Sequence, residues 1–222
     1  MNIFQQHERF EIEVLDLLQR SKLLNPLVFG GGTMLRLCHE LKRYSVDLDF
    51  WFLKDVQEDD FFQLLQQSLQ KHYEITDAHL KYYTLICEVR SSRSPKRLKI
   101  EVRRAHRNLD YQEKLAFSRF STLQVLVKAL TLEQSMQNKV AAFLDRAEIR
   151  DCFDIEFLLR RGVQLPALDK AAMEKFKKKL QGFKPNDLKV KLGSIVEEDI
   201  RRYYISHGMA YLQEKIQAQL NH

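Results

Sequence analysis

Three consecutive glycines, Gly30 to Gly32, are the feature of this sequence that most restricts its fold. They follow the short apolar run 27–29 and precede an amphipathic stretch that ends near Leu41. An apolar run that ends in glycine predicts a buried strand that enters a tight turn. Thr33 is expected to cap the helix that follows the turn. The sequence therefore predicts a strand–turn–helix unit in its first fifth.

Further along the chain, strand patterns dominate the first half and helical patterns the second. Strand character is found at residues 46–53, 82–89, 97–102 and 123–127, within a region 74–102 that holds three such stretches. Helical spacing of apolar residues is found at 4–24, 55–73, 132–145, 149–160, 167–180, 194–206 and 209–220. The polar turn 91–95 predicts an antiparallel hairpin. These patterns predict an α+β fold with a small mixed sheet and flanking helices first, and a helical bundle-like second half.

Composition favours a folded protein with a substantial core. Of the 222 residues 45% are hydrophobic, and the 30% that are charged are spread along the chain. The apolar runs are far shorter than the roughly 20 residues of a membrane span, and no leader opens the sequence, so we expect a cytoplasmic protein that does not enter the membrane. Cys38, Cys87 and Cys152 have no paired spacing and are expected to be reduced core residues. The net charge of +6 permits a polyanionic partner without demonstrating one.

Three acidic residues on predicted strands are candidates for a metal site. Asp47 and Asp49 are two residues apart on one strand, so both side chains project from the same face. Two such close carboxylates repel each other unless a cation lies between them, and magnesium is often held by one or two carboxylates together with substrate phosphates. Glu101, on the strand 97–102, is a candidate third ligand for a two-metal site. A solvated acidic face for the pair and a simply exposed Glu101 remain the alternatives.

Several motifs in order resemble those of the AbiEii/AbiGii toxin family, a branch of the DNA polymerase beta-like nucleotidyltransferases. The motifs are Gly31-Gly32-Thr33, Tyr44-Ser45-Val46-Asp47-Leu48-Asp49-Phe50, Lys139-Val140-Ala141-Ala142-Phe143 and Arg150-Asp151-Cys152-Phe153-Asp154. They extend over both halves of the chain, and their shared order is more specific than any one of them. The resemblance implies a nucleotidyltransferase-type sheet, with a catalytic core at residues 1–128 and a helical region at 129–222 that completes the active site.

The resemblance also implies roles for individual residues. The Gly-Gly-Thr turn and Asp151 would bind the nucleotide, together with Lys139 on its phosphates, and magnesium or manganese would be the cofactor. The implied catalytic residues are Asp47, Asp49, Lys139 and Asp154, and the implied metal ligands are Asp47 and Asp49. From its strand position, Glu101 is predicted as a further catalytic residue and metal ligand. Of the two acids in the Arg-Asp-x-x-Asp motif we favour Asp154 as catalytic, because Arg150 lies next to Asp151. Without the resemblance, a surface salt-bridge network is the simpler interpretation of that motif.

A basic cluster between Arg90 and Arg107 lies on the predicted hairpin, next to Glu101. Its predicted nucleic-acid contacts are Arg93, Lys96, Arg97 and Arg103. Tyr82, Tyr83 and Tyr111 are candidates to stack on an unpaired base, although a core or rim position is the alternative. The resemblance implies a nucleoside triphosphate substrate, an RNA acceptor such as the 3′ end of transfer RNA, and a cognate antitoxin. A small-molecule nucleotidyltransferase and an inactive nucleotide- or partner-binding protein are the competing hypotheses.

Overall fold

A computed structural model of the chain describes residues 1–53, 56–104 and 108–220. It forms two compact units, one made of residues 1–40 and 44–131 and the other of residues 41–43 and 132 onward. The first unit contains a seven-stranded mixed sheet with helices, and the second is helical. This confirms the α+β class that the sequence predicts. Asp55, at the start of a predicted helix, and Arg107, in the basic cluster, lie outside the described residues.

The first unit alternates helices and strands and then adds a series of strands. Its elements are α1 (Ile3–Arg20), β1 (Leu27–Gly30), α2 (Gly31–His39), β2 (Asp47–Phe52), α3 (Glu58–Gln70), β3 (Glu74–Leu80), β4 (Thr84–Arg90), β5 (Leu98–Arg103), β6 (Tyr111–Phe117) and β7 (Gln124–Leu130). The strand order across the sheet is β3-β4-β5-β2-β1-β7-β6. The β2–β5 and β1–β7 pairs are parallel and the other pairs are antiparallel. The predicted hairpin is confirmed as β4 and β5.

The two faces of the central strands differ in polarity. On β2, Leu48, Phe50 and Phe52 are buried, whereas the alternating residues Asp47 and Asp49 are partly exposed. Strand β5 repeats this alternation. Because side chains alternate along a strand, one face of the sheet forms the core and the other carries the charged residues. We call this second side, at β2, β5 and β4, the polar face.

The start of α2 differs from the sequence-based prediction. The helix begins at Gly31 and its N-cap residue is Gly30, so Thr33 lies inside the first turn and does not cap it. Thr33 is fully buried, and its hydroxyl donates to Glu11 Oε1 at 3.5 Å. The prediction was wrong because the cap rule assumes that the last glycine ends the turn. Here two of the three glycines already have helical positions.

The second unit consists of five α-helices and one π-helical segment among the residues that are described. The elements are α4 (Leu132–Arg146), α5 (Ile149–Arg160), α6 (Lys170–Gln181), the π-helix (Asp187–Leu192), α7 (Glu198–His207) and α8 (Ala210–Leu220). Asp169 caps α6 by accepting a hydrogen bond from the Ala172 amide at 2.7 Å. The five predicted helices of this half are present within a few residues at each end.

Strand β6 and the π-helix were not anticipated from the sequence, and β7 extends three residues past the predicted run 123–127. None of the helices in the described ranges is both long and apolar enough to span a membrane. The three cysteines are free thiols; Cys87 and Cys152 are buried and Cys38 is partly exposed. Burial raises the pKa of the Cys87 thiol to about 12, which keeps it protonated at neutral pH.

Candidate active site

The glycine turn and the first acidic strand are in direct contact. Gly30 pairs with Asp49 in the β1–β2 register, and Gly31 follows with a φ of +75°. A Cβ atom placed on Gly31 would lie 2.1 Å from Asp49 Oδ2. Only glycine therefore combines this left-handed conformation with the close approach of the carboxylate. The approach brings a negative charge to the N-terminal end of α2, where the helix dipole stabilises it.

On the polar face, acidic and basic side chains alternate between β2 and β5. The parallel register pairs Asp47 with Lys99 and Asp49 with Glu101. Lys99 Nζ lies 3.6 Å from Asp47 Oδ2 and 3.1 Å from Glu101 Oε2. Glu101 Oε1 is also 3.8 Å from an amino group of Arg103. The three carboxylates therefore share their face with two cations.

Lys99 is a member of this cluster that the sequence-based site did not include. Partial burial acts to lower the pKa of its amine, but the carboxylates of Asp47 and Glu101 outweigh burial and raise the pKa. The amine therefore stays charged and offsets part of the repulsion between the acids. The sequence could have indicated Lys99, because it lies two residues before Glu101 and therefore shares its face of the strand. Residues on one face interact with those of the neighbouring strand.

A buried polar cluster lies beneath the start of β2 and α2. His7 Nε2 lies 3.1 Å from the Val46 carbonyl and 3.5 Å from Glu11 Oε1, and Glu11 in turn accepts from Thr33. Burial raises the pKa of Glu11 well above its usual range and lowers the pKa of His7. Both side chains therefore favour their neutral forms, so their 3.5 Å contact is a contact between neutral groups more than an ion pair.

Aromatic contacts fix the segment that leads into β2. The Tyr44 ring stacks on Phe4 at 4.8 Å, and the Arg36 guanidinium lies 4.0 Å from the Tyr44 ring centroid. Arg36 also forms an ion pair with Glu8, so α1, α2 and the segment before β2 are joined. These contacts hold the backbone that carries Asp47.

In the second unit, Lys139 and Asp154 belong to a buried ionic cluster. Asp154 is fully buried and receives a bidentate pair from Arg43, with both N–O distances at 2.6 Å. Lys139 Nζ lies 2.6 Å from Asp154 Oδ2 and 3.6 Å from Asp151 Oδ1. Burial alone would raise the pKa of Asp154, but Arg43 and Lys139 outweigh it and lower the pKa. Asp154 is therefore an ionised residue between two cations.

Asp151 is also fully buried, and its principal partner is Arg146. The Arg146 guanidinium donates to both carboxylate oxygens of Asp151 at 2.8 Å. Arg150, whose proximity in sequence led us to favour Asp154, is exposed. Because α4 supplies Lys139 and Arg146 while α5 supplies the two acids, the cluster ties these two helices together.

Comparison of the sequence with known protein families identifies the family of this chain. The family described as "Nucleotidyl transferase AbiEii toxin, Type IV TA system" matches residues 14–214. The chain belongs to this family. It is therefore a nucleotidyltransferase of the toxin–antitoxin type, which confirms the resemblance and the enzyme class that the motifs predict.

Solved structures with the same fold include two from pathogenic bacteria. JHP933 from Helicobacter pylori has a TM-score of 0.53 and 18% identity, covering 94% of this chain and 94% of that one. MenT4, a nucleotidyltransferase toxin from Mycobacterium tuberculosis H37Rv, has a TM-score of 0.51 and 16% identity, covering 96% of this chain and 94% of that one. At such identities the likeness concerns the fold, and it confirms the nucleotidyltransferase-type architecture. Against the curated proteins no significant sequence match was found.

AbiEii-type nucleotidyltransferases use a nucleoside triphosphate and a divalent metal ion, so we tested whether the acidic residues fit a metal. Across the described ranges, no three His, Cys, Asp or Glu side chains group closely enough to hold a metal by themselves. Asp47 and Asp49 nevertheless fit magnesium, which commonly takes two carboxylates and completes its shell with phosphate and water oxygens. Glu101 is engaged by Lys99 and Arg103, and its assignment as a third ligand stays a prediction.

The four basic residues proposed to contact nucleic acid separate into two pairs in this AbiEii-family protein. Arg103 ends β5 on the same alternation as Glu101, and Arg97 directly precedes this strand; Arg97 pairs with Glu88 at 2.9 Å, and Arg103 lies 5.5 Å from the Trp51 ring. The other two contact α1: Arg93 pairs with Glu13 at 2.9 Å, and Lys96 lies 4.1 Å from the Phe4 ring. Arg97 and Arg103 thus lie on the polar face with the acids.

Proposed function

We propose that this toxin-family enzyme transfers a nucleoside monophosphate from a nucleoside triphosphate to a hydroxyl group of RNA, with magnesium held by Asp47 and Asp49. The 3′ end of transfer RNA is the acceptor we favour, and manganese is the alternative metal. The observation that carries the proposal is the contact between the Gly31 turn and Asp49, because it joins a phosphate-binding backbone to an acidic pair. Such an enzyme would act in the cytoplasm, where both substrates occur.

The reaction is an in-line substitution at the α-phosphorus. The acceptor hydroxyl oxygen forms a bond to that phosphorus, its proton passes to solvent, and the bond to pyrophosphate breaks with the electron pair leaving on pyrophosphate. Bound magnesium would neutralise charge on the leaving group and lower the pKa of the hydroxyl. The protein's own contribution is positioning: the backbone amides that open α2 at Gly31 and Gly32 orient the phosphates, and the buried Thr33 holds this turn against Glu11.

For the second unit, the family resemblance supports Lys139 on the nucleotide phosphates and Asp151 at the nucleotide. The buried position of Asp154, and its pairing with Arg43 and Lys139, favour a positioning role in which it sets the direction of the Lys139 amine. We therefore expect Lys139→Gln to raise the KM for the nucleoside triphosphate and to lower kcat. Its effect on the KM for the acceptor should be small.

The polar face supports RNA as the acceptor. Arg97, just before β5, and Arg103, at its end, have the same alternation as Lys99, so positive charge borders the acids. A phosphate backbone that crosses this face would release counterions, which makes binding favourable and dependent on salt. Binding of a small-molecule acceptor would not require such a row of basic side chains.

The first experiment incubates the purified protein with magnesium, each α-labelled nucleoside triphosphate in turn and total bacterial RNA. We expect label in RNA from one or more nucleotides, and at least a thousandfold less with Asp49→Asn, because removing an essential metal ligand typically costs several kcal/mol of transition-state stabilisation. Asp77→Asn, an exposed aspartate on β3, is the matched control and should label RNA as the native protein does. Equal labelling by the native and Asp49→Asn proteins would refute the assignment of the site.

A second experiment separates RNA from small acceptors. The double variant Arg97→Gln/Arg103→Gln removes two charges from the polar face, whereas Arg93→Gln/Lys96→Gln removes two charges that face α1. If RNA crosses the polar face, the first variant raises the KM for RNA by roughly tenfold, at about 1 kcal/mol or less for each charge, and the second changes it little. Equal effects would mean that only the net charge matters.

Two alternatives have specific outcomes. A small-molecule nucleotidyltransferase would label a low-molecular-weight acceptor in a bacterial extract and leave RNA unlabelled. An inactive binding protein would bind the nucleotide without any transfer, which is disfavoured by the cost of keeping two close carboxylates. Membership in a toxin family also implies a cognate antitoxin, and co-expression would show whether it suppresses toxicity.

A further inference from the structure

The loop between β3 and β4 consists of two exposed tyrosines. Lys81 and Thr84 exchange backbone hydrogen bonds of 2.9 and 3.4 Å, which leaves Tyr82 and Tyr83 as a two-residue hairpin loop. Neither tyrosine has a positive φ, so the loop is not of the kind that requires Asn, Asp or Gly. The two side chains are 80% and 73% exposed, with their rings edge to face at 4.6 Å. Burial in the core therefore does not account for these aromatics.

The backbone of this loop is held by a neighbouring arginine. The Arg104 amide donates to the Tyr83 carbonyl at 3.0 Å, and its guanidinium donates to the Lys81 carbonyl at 2.9 Å. Arg104 is in turn fixed by an ion pair with Glu58 of α3. Two contacts thus fix the backbone that carries the two rings, and the ion pair with Glu58 fixes Arg104, so less backbone ordering is required when a planar ligand binds.

The register of the sheet places the loop relative to the acids. Ile86 of β4 pairs with Glu101 of β5, which pairs with Asp49 of β2, so the loop is two strands from Asp49 and three residues farther along β4. With strands about 4.8 Å apart and 3.3 Å per residue, the Tyr83 backbone lies roughly 14 Å from the Asp49 backbone. Arg103 pairs with Thr84 between them, and Lys81 is exposed beside the rings. Arg103 therefore lies between the loop and the acids, and Lys81 adds a positive charge beside the rings.

The same register separates the loop from the proposed phosphate site. The glycine turn follows β1, which lies on one side of β2, whereas β5 and β4 lie on the other side. A triphosphate bound at Gly31 and a base stacked on Tyr82 would approach Asp49 from opposite directions. This arrangement favours the acceptor, and not the donor nucleotide, at the tyrosines.

We propose that the Tyr82–Tyr83 loop is a stacking platform for an unpaired base of the acceptor RNA, close to the hydroxyl that is modified. The proposal rests on the proposed function, since it requires an RNA acceptor. Aromatic rings bordered by cations are the features with which proteins hold single strands, because the ring contacts the face of a base and the cations contact the phosphates. Bases within a duplex are stacked on both faces, so the platform favours RNA with a single-stranded end.

The test measures the binding of two RNA hairpins, one with a four-nucleotide 3′ overhang and one with a blunt end, by fluorescence anisotropy. Tyr82→Ala/Tyr83→Ala is expected to weaken binding of the overhang RNA by about fivefold or more. Tyr82→Phe/Tyr83→Phe keeps both ring faces and is expected to bind within about twofold of the native protein. The blunt hairpin is expected to bind all three proteins equally, and the KM for the nucleoside triphosphate should not change.

The other outcomes are distinct. If the native protein binds the overhang RNA and the alanine variant binds it equally well, the platform is overturned, and the exposed rings then suit a protein partner. A raised KM for the nucleoside triphosphate with unchanged RNA affinity would place the donor base on the tyrosines and also overturn it. Failure of the native protein to bind or label any RNA would overturn the proposed function together with the platform. Circular dichroism of each variant shows whether the fold is retained.

Discussion

At the scale of single residues, Gly31 offers the sharpest test of the glycine turn. Replacing it by alanine puts a Cβ 2.1 Å from Asp49 Oδ2 at a φ of +75°, so the carboxylate or the turn must move. We expect Gly31→Ala to lower kcat/KM by at least a hundredfold, because displacements of about 1 Å at a reaction centre have effects of that size. Steady-state kinetics of RNA labelling measures the change.

Gly162 provides the matched control for that substitution. It has a φ of +86°, and a Cβ at this position would meet nothing within 4 Å. Gly162→Ala therefore introduces the same left-handed strain, about 1 kcal/mol of lost stability, without a clash at the acids. Similar losses of kcat/KM in both variants would show that backbone strain, and not contact with Asp49, is responsible.

Glu11 gives a prediction of pH dependence. Burial, followed by the nearby Glu8, raises its pKa in the folded protein, so folding favours the protonated form and stability is lost as pH rises from the unfolded pKa through the folded one. Glu11→Gln is always neutral. Relative to the native protein, it should gain unfolding free energy over this range by up to about 1.4 kcal/mol per pH unit.

Chemical denaturation at pH 4.5, 6 and 7.5 tests the prediction for Glu11. The exposed Glu174 of α6 supplies the control, as Glu174→Gln. A Glu11→Gln protein whose stability difference from the native protein is constant across the three pH values would contradict the assignment of a neutral Glu11.

Residue-level prediction from the sequence had a clear limit. The spacing of Asp47 and Asp49 indicated a shared face, because that depends only on strand geometry. The position of Lys99 between two acids, and the buried Glu11 beneath Thr33, depend on which strands and helices become neighbours. No local pattern encodes those pairings, so these partners were not predicted.

At the scale of secondary-structure elements, the ionic cluster that joins α4 to α5 should be important for stability. Asp154→Asn removes the buried carboxylate charge that Arg43 and Lys139 share, and breaking a buried ion pair in this way costs about 3–5 kcal/mol. Denaturant unfolding followed by circular dichroism measures the loss. Arg150→Ala, on the exposed side of α5, should stay within about 0.5 kcal/mol of the native protein.

The two outcomes for Asp154→Asn have different meanings. Lost stability with residual transfer activity in the folded fraction agrees with a positioning role through Lys139. Native stability combined with complete loss of transfer would instead identify Asp154 as a group that touches the substrate.

Elements were predicted well where their hydrophobic pattern was one-sided. Helix α5 was predicted with its observed ends because its apolar residues repeat at helical spacing. Strand β6 was missed because Gln112, Glu113 and Lys114 are consecutive polar residues. An edge strand that is exposed over most of its length, as β6 is apart from the buried Ala116, lacks the regular alternation of apolar and polar residues that a sequence pattern detects.

At the scale of the whole molecule, the division into a sheet unit and a helical unit follows the change in periodicity along the chain, whereas the order of strands does not. Strands β2 and β5 become parallel neighbours although β3 and β4 lie between them in sequence. This crossover puts Asp49 beside Glu101 and creates the polar face. Pairing over such long sequence separations is set by packing of the whole unit.

Ligand binding should stabilise the whole molecule by mass action. A triphosphate analogue with a methylene between the α- and β-phosphorus atoms cannot be cleaved at that bond, and at a hundred times its Kd it adds about 2.7 kcal/mol to the folded state. For a chain of this length we expect a rise in Tm of about 5–10 °C in the presence of magnesium. Differential scanning fluorimetry measures this rise in Tm, with Asp77→Asn as the control that should respond as the native protein does.

Asp47→Asn/Asp49→Asn should lose most of the rise in Tm, whereas Tyr82→Ala/Tyr83→Ala should keep it, because the tyrosines are assigned to the acceptor. A rise of equal size in the double aspartate variant would mean that the triphosphate binds independently of the acidic pair.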